Sequence, residues 1–302
     1  MFIDFKKTHK FWVIAGLVSF ITYFTIQQIS HERQTGHRYG DVMPYLMKQL
    51  HANITSLKYW KITSSTWQFV ITYQWLWMLY SLTTLFRINS LNILPPHFYA
   101  SWCLSCCFEI GYLFLAAHRQ TLWAWIFTCS SGICRSGCLF FAFYSLFEFL
   151  AAHSGKHKKP NKFDVCCQRI LIQNGLICYQ TWSIISVCFN FAPNLQRMFD
   201  VSQHAAYSFS LLILAVIIVV WFVAQNFYVE KYARYTCSEY VTMVIIFGLI
   251  FNECRANVDG TYAFVLLLLC FSLLLLLFRV SLIVFNERGR IYASDEELEF
   301  MV

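Results

Sequence analysis

Two charged residues inside long apolar segments are the first candidates for chemistry in this chain. Glu109 and Arg135 each lie near the middle of such a segment. A charge in hydrocarbon costs at least about 2.5 kcal/mol, so a charged side chain there usually has a partner or a function. The short turn at residues 118–120 would place the segments side by side, but roughly 9 Å of depth, at 1.5 Å per residue, separates the two side chains. Three interpretations stay open. The two residues pair with each other or with separate internal partners, they form a substrate or proton site, or the boundaries of the apolar segments are wrong.

Signatures of soluble enzymes do not emerge from the sequence. Cys103 and Cys106 have the spacing of zinc ligands, but no second cysteine pair or histidine follows at a suitable distance. There is no glycine-rich phosphate loop, no nucleophile elbow and no HExxH motif. We therefore predict no catalytic residue, no metal site and no cofactor, and the case for an enzyme is weak.

The apolar segments themselves define the fold class. Of 302 residues, 58% are apolar and only 13% are charged, well below the roughly 25% charge of soluble domains. Segments of about 20 apolar residues recur from end to end. They predict an all-α, polytopic membrane helix bundle with about eight transmembrane helices, at residues 11–29, 67–87, 97–117, 121–150, 169–191, 205–228, 239–252 and 261–285. The seventh is the weakest, because roughly 14 apolar residues are too short for a 30 Å hydrocarbon core.

The distribution of basic residues predicts that both termini lie in the cytoplasm. Basic clusters precede the first segment and separate the fourth from the fifth, at Lys6, Lys7, Lys10, Lys156, Lys158, Lys159, Lys162 and Arg169. Because the net charge of +7 is carried by such clusters, we expect no nucleic-acid partner. The loop of residues 30–66 would face outward, although it also carries basic residues, and its Asn53-Ile54-Thr55 sequon is a predicted glycosylation site.

Polar residues near the segment ends have simpler interpretations. We expect Arg279 and Glu148 to reach toward the membrane edge with their charged groups. We expect Gln225 and Asn226 to tie helices together. The acidic tail of residues 287–302 should be a mobile cytoplasmic end. Its last residues could add a strand to a PDZ-type partner, at Phe300, Met301 and Val302.

Aromatic residues make up 19% of the chain, more than two interfacial belts require. In the second segment they recur mostly at steps of three or four, which predicts a stripe down one helix face, at Trp67, Tyr73, Trp77 and Tyr80. Such a stripe either packs against other helices, the commoner case, or lines a pocket for a planar apolar molecule.

The fifth segment contains a short motif of aromatic and polar residues. Its stretch YQTWSIISVCFN carries Tyr179, Trp182 and Asn190. This spacing resembles the Tyr-x-x-Trp followed by Asn of the TspO/translocator family of tryptophan-rich sensory proteins. The second segment, with Trp60 before it, is similar to the family's second aromatic block. The resemblance implies a five-helix bundle over residues 1–195 and a pocket for porphyrins or sterols that includes Trp67, Tyr179 and Trp182. The three helices predicted over residues 196–286 are an addition to the family's pattern.

We therefore expect a multi-pass integral membrane protein that binds or transports a small hydrophobic, planar ligand. Its site would lie between the second and fifth helices and contain Trp67, Tyr73, Trp77, Tyr179 and Trp182. Two alternatives remain: a transporter or channel for a polar solute that uses Glu109 and Arg135, and an orphan membrane receptor. Membrane lipid, the ligand and a second copy of the chain are the expected partners, and the choice between plasma membrane and endomembrane stays open.

Overall fold

The computed structural model of the protein describes residues 5–35, 57–86, 94–118, 120–153, 162–254 and 261–299. Almost all residues in these ranges are helical, and none of them forms a strand. Eight long helices follow one another: α1 Phe5–Thr35, α2 Leu57–Phe86, α3 Pro96–Ala117, α4 Thr121–His153, α5 from Lys162 to Phe199, α6 from Gln203 to Tyr228, α7 Ser238–Cys254 and α8 Thr261–Glu299. A single helical turn, Glu230–Ala233, lies between α6 and α7.

Two of these helices contain a π-helical turn. In α5 the turn is Gln168–Gln173, and in α6 it is Ala224–Tyr228. Because α5 and α6 are antiparallel neighbours, both turns lie at the same end of the bundle. A π turn accommodates one extra residue and shifts the helix register. Here the shifts coincide with buried amides at Gln168, Gln173 and Gln225.

Within the described ranges, six helices are long and apolar enough to cross a membrane: Thr8–Ile29, Pro96–Ala117, Thr121–Ala152, Phe163–Phe199, Gln203–Tyr228 and Tyr262–Phe285. The chain is thus an all-helical, multi-pass membrane protein. The other two predicted segments are also helical, but they fall outside this group. The α2 helix is rich in Trp, Tyr and Gln, which score as polar in hydropathy, and the 17 residues of α7 extend only about 25 Å at 1.5 Å per residue.

The centre of the bundle is α5. Within its apolar stretch 72% of the residues are buried, compared with 22–33% in the other five candidate spans. The helices α2, α4, α6 and α7 pack around it, α3 forms a hairpin with α4 and contacts α1, and α8 packs on α6 and α7. Buried apolar residues of all eight helices form one continuous cluster. The predicted five-helix and three-helix parts therefore share one core.

Local sequence explains where these helices begin and end. Pro96 opens α3, where its fixed φ suits the first helical position. The α5 helix stops at Asp200, whose φ of 50° lies in the left-handed region that Asp tolerates. Two residues later Ser202 caps α6 by accepting a hydrogen bond from the Ala205 amide at 3.3 Å. This short connection holds α5 and α6 side by side.

Several predicted features fall beyond the described parts of the chain. Asn53 lies outside them, as do Phe300, Met301 and Val302, so glycosylation and a PDZ-type partner stay predictions. The polar tail is helical where we expected a mobile end, since α8 continues through Glu299. The reason is that a helix already formed propagates easily through good helix formers such as the Glu and Leu residues near its end.

Candidate functional site

The predicted charged pair lies in the interior of the bundle. Arg135 Nη1 and Glu109 Oε1 are 2.9 Å apart, with side chains 2% and 12% exposed. The Arg135 Nη2 also donates to Ser183 Oγ, and the guanidinium carbon lies 4.4 Å from the centre of the Tyr179 ring. Arg135 on α4 therefore binds α3 through Glu109 and α5 through Ser183 and Tyr179.

Side-chain direction explains how the two charges meet despite their difference in depth. Each Cα–Cβ bond of an α-helix leans toward the N-terminus of its own helix. In the antiparallel hairpin of α3 and α4, Glu109 therefore leans away from the connecting turn, while Arg135 leans toward it. Both side chains therefore reduce the difference in depth between their backbone positions, and the charged groups meet.

Small residues allow α4 to approach its neighbours closely. On the α3 side, the hydroxyl oxygens of Ser105 and Ser131 are 2.9 Å apart, and Ser131 Oγ donates to the Ser105 carbonyl at 3.1 Å. On the α5 side, Gln180 Nε2 donates to the Gly132 carbonyl at 3.2 Å and to Ser136 Oγ at 3.0 Å. These polar contacts hold α3, α4 and α5 as one unit.

Four of the five predicted ligand residues belong to one cluster of rings. The Trp67 ring centre is 5.4 Å from that of Trp182 and 6.1 Å from that of Tyr179. Trp77 joins them through Trp102, which sequence analysis missed: its ring is 4.9 Å from Trp77 and 6.2 Å from Tyr179. The side chains of these four residues and of Trp102 are all buried. Such tilted and edge-to-face pairs are typical of packed aromatic cores.

Tyr73 stands apart from this cluster. Its hydroxyl donates to the Ile170 carbonyl at 2.9 Å, and its ring covers Gly175, where an added Cβ would lie 2.5 Å from Tyr73 Cδ1. The neighbouring Gln74 donates to the Gly175 carbonyl at 3.0 Å. Tyr73 therefore marks a close approach of α2 and α5.

A cavity of about 180 Å³ lies on another face of α5, between α4, α5 and α6. Its walls are mainly aliphatic and aromatic, and its few polar groups include Ser136, Gln180 and Thr181. None of the five predicted aromatic residues lines it. Aliphatic residues contribute most of the α5 and α6 walls, at Ile177, Ile184, Ile185, Leu214, Ile217 and Ile218. Such aliphatic residues look alike in the sequence whether they face lipid or a cavity, so the sequence contains no signal for the cavity.

A second buried polar cluster lies at the end of the bundle where α6 meets α7. Gln225 Nε2 donates to Thr236 Oγ1 at 2.9 Å and to the Glu239 carboxylate. The Tyr240 hydroxyl donates to Gln225 Oε1 at 2.6 Å. The expectation that Gln225 ties helices together is confirmed. The burial of Glu239 was missed, because an acidic residue at the start of a helix is common at exposed ends as well.

Arg279 belongs to the same cluster and corrects a prediction. It is 2% exposed and does not reach toward the membrane edge. It donates to the carbonyls of Thr236 at 3.2 Å and Ala233 at 2.5 Å, and to Asn226 Oδ1 at 2.9 Å. The end of the one-turn helix and the following residues supply carbonyl acceptors within hydrogen-bonding distance, so the guanidinium turns inward.

Among the side chains that the structure describes, no group of three or more His, Cys, Asp or Glu is placed to hold a metal ion. Comparison with protein-family models, with curated proteins and with solved structures found no match to this chain.

Proposed function

We propose that this chain is a non-catalytic membrane protein that binds a small apolar molecule within its helix bundle. The observation that carries the proposal is the cavity between α4, α5 and α6. Mainly apolar walls with a few polar groups are typical of small-molecule sites, and such sites often lie between the helices of a bundle. The cavity is partly open to the outside of the bundle, which gives a ligand a path from the surrounding lipid.

The size of the cavity limits the ligand. An apolar cavity of about 150 Å³ in another protein binds benzene, whereas drug-sized ligands occupy about 300–1,000 Å³. A volume of about 180 Å³ therefore suits one or two aromatic rings, or part of an acyl chain. A whole porphyrin or sterol, as the TspO/translocator resemblance implies, is too large for it.

We assign the predicted aromatic cluster a packing role within this proposal. The Trp67 ring contacts the rings of Tyr179 and Trp182, so the space that a planar ligand would occupy is filled by side chains. The resemblance to the TspO/translocator family then concerns helix order and aromatic packing, and it does not set the ligand.

We also assign a structural role to the Glu109–Arg135 pair. A transporter that used these charges would have to release them from each other and from Ser183 and Tyr179. Breaking a buried ion pair leaves an uncompensated charge at a cost of about 3–5 kcal/mol. Because of that cost, we rank transport of a polar solute as the second candidate function, after binding of an apolar molecule.

For topology we propose eight crossings with both termini in the cytoplasm. The basic clusters before α1 and between α4 and α5 support this orientation. Packing of α2 and α7 directly against α5, the most enclosed candidate span, supports placing both in the bilayer.

The binding proposal is tested by filling the cavity. Ile217 lines it, whereas the adjacent Val216 is 56% exposed and points outward. Titration of purified protein with the two-ring fluorophore 1-aminonaphthalene should give saturable fluorescence above the detergent background in the wild type and in Val216→Trp. In Ile217→Trp the added ring occupies the cavity, and the saturable part should be lost. Absence of saturable binding in the wild type, or equal binding by both variants, would refute the proposal.

A further inference from the structure

The apolar cavity between α4, α5 and α6 has a small polar region in its wall. Three side chains with hydrogen-bonding groups contribute to it, Ser136 on α4 and Gln180 and Thr181 on α5. In a mainly apolar site, the few polar groups fix the orientation of a ligand and decide which ligands bind. Whether these groups offer donors or acceptors therefore sets the chemistry of the ligand.

The donors of these three side chains are all used within the bundle. The Thr181 hydroxyl donates to the Ile177 carbonyl at 2.8 Å, and the Ser136 hydroxyl donates to the Gly132 carbonyl at 3.1 Å. Gln180 Nε2 donates to the Gly132 carbonyl and to Ser136 Oγ, which uses both of its N–H bonds. None of the three side chains therefore has a donor left for a ligand.

The indole of Trp221 also contributes to the cavity wall and carries an N–H. This side chain interacts with the Glu239 carboxylate of the polar cluster between α6 and α7. A carboxylate is a stronger acceptor than a neutral group on a ligand, so the indole donor is directed to Glu239. Toward a ligand, the polar region of the wall offers acceptors.

The orientation of the Gln180 amide leaves one of these acceptors open. The Gly132 carbonyl can only accept, so the amide nitrogen must be the atom that faces it. No group in the described part of the chain donates to Gln180 Oε1. The side chain is only 7% exposed, so bulk water does not replace the missing donor. A buried acceptor without a partner is unfavourable, and a ligand donor in the cavity that Gln180 lines would satisfy it.

We propose, on the basis of the function proposed above, that the cavity binds a compact aromatic molecule with an N–H or O–H donor, and that Gln180 Oε1 accepts its hydrogen bond. Aromatic amines, phenols and azoles are the ligand classes with this chemistry. The rings occupy the apolar part of the cavity, and the donor lies where Gln180 meets α4. A molecule of the same shape without a donor leaves the oxygen unpaired, so it binds less tightly.

The test compares indole with benzofuran, two fused-ring molecules of nearly the same shape, of which only indole has a donor. Each is used to displace 1-aminonaphthalene from the purified full chain in detergent, and its uptake by protein-free micelles is measured by dialysis and subtracted. Indole should bind the wild type about tenfold more tightly than benzofuran, because only indole pairs with Gln180 Oε1. Equal binding of the two, or tighter binding of benzofuran, would overturn the proposal.

Two variants test whether Gln180 is the acceptor. Gln180→Met removes the amide and keeps a side chain of similar length, so the preference for indole should be lost while benzofuran still binds. Thr181→Val is the matched control, since it removes a hydroxyl from the same wall that already donates to Ile177, and it should keep the preference. A preference that persists in Gln180→Met, or disappears in Thr181→Val, would refute the role of Gln180. The wild-type comparison does not depend on the folding of either variant.

Failure of this proposal differs from failure of the proposed function. If 1-aminonaphthalene, indole and benzofuran all lack saturable binding to the wild type, the cavity is no binding site and both proposals fail. If all three bind and indole has no advantage over benzofuran, the cavity is a binding site and only the requirement for a donor is refuted.

Discussion

Arg135 and Arg279 show two ways of burying a guanidinium in this bundle. Arg135 is neutralised by a carboxylate on the adjacent helix, at 2.9 Å. Arg279 instead donates to carbonyls at the end of a one-turn helix. The first arrangement is a structural ion pair between α3 and α4. In the second, neutral carbonyl and amide oxygens accept the described hydrogen bonds of the guanidinium.

The Glu109–Arg135 ion pair leads to a prediction for Glu109. Glu109→Ala should lower the free energy of unfolding by about 3–5 kcal/mol, because it leaves the Arg135 charge buried and unpaired. The measurement is thermal or denaturant unfolding of purified protein in detergent. Glu148→Ala is the matched control, since Glu148 lies on α4 and is exposed. The double variant Glu109→Leu with Arg135→Met should recover most of the loss. An equal loss in the Glu148 control would contradict a specific role for the pair.

Sequence analysis identified Glu109 and Arg135 because charged residues are rare in apolar segments. It could not choose among their three interpretations, since the choice depends on how side chains lean in a helix hairpin. The inward direction of Arg279 was not predictable at all. Its acceptors come from the π turn of α6 and the one-turn helix after it, and neither has a recognisable sequence pattern.

At the scale of helices, the contact between α2 and α5 is made by a close approach at Gly175. The Tyr73 ring covers this residue, and Gln74 donates to its carbonyl. These specific contacts add to the apolar packing that places α2 in the bundle.

Gly175→Ala should therefore destabilise the protein although alanine favours a helix. The new Cβ would lie 2.5 Å from Tyr73 Cδ1, so the ring must move and its hydrogen bond to Ile170 is weakened. We expect a loss of about 1–3 kcal/mol, as for other overpacked sites, in the same unfolding measurement. Gly248→Ala is the control: nothing lies within 4 Å of its Cβ position, so it should be neutral or stabilising by up to about 1 kcal/mol. Similar losses in both variants would argue against a close approach of α2 and α5.

In the aromatic stripe of α2, sequence periodicity predicted the buried face of the helix but not the contact partner of each ring. Steps of three and four placed Trp67 and Trp77 on an inward face, and both are buried. Tyr73 lies farther round the helix, and its ring meets α5 at a different place. Periodicity gives the face of one helix, whereas the partner of each ring depends on tilt and on neighbours such as Trp102 on α3.

At the scale of the whole molecule, the eight predicted segments are all helices because long apolar runs leave few other structures possible in lipid. The position of the cavity could not be predicted. In α6 nearly every residue is apolar, so Ile217 and Val216 look alike in the sequence, although one lines the cavity and the other points outward.

The proposed topology predicts that both termini lie on the same side of the membrane. Epitope tags at the N- and C-terminus should both be accessible in cells whose plasma membrane alone is permeabilised. Asn53 should carry an N-glycan that Asn53→Gln removes, seen as a shift on a gel. Tags accessible from opposite sides would show an odd number of crossings and would place either α2 or α7 outside the bilayer.

Photolabelling with a small phenyldiazirine tests most directly whether the bundle holds an apolar molecule between α4, α5 and α6. Labelled sites are mapped by mass spectrometry, with and without an excess of 1-aminonaphthalene. We predict competed labelling at cavity residues such as Leu139, Ile177 and Leu214, and uncompeted labelling at lipid-facing residues such as Val216. Competed labelling at Trp67, Tyr179 and Trp182 instead, or no competed labelling at any residue, would contradict the account.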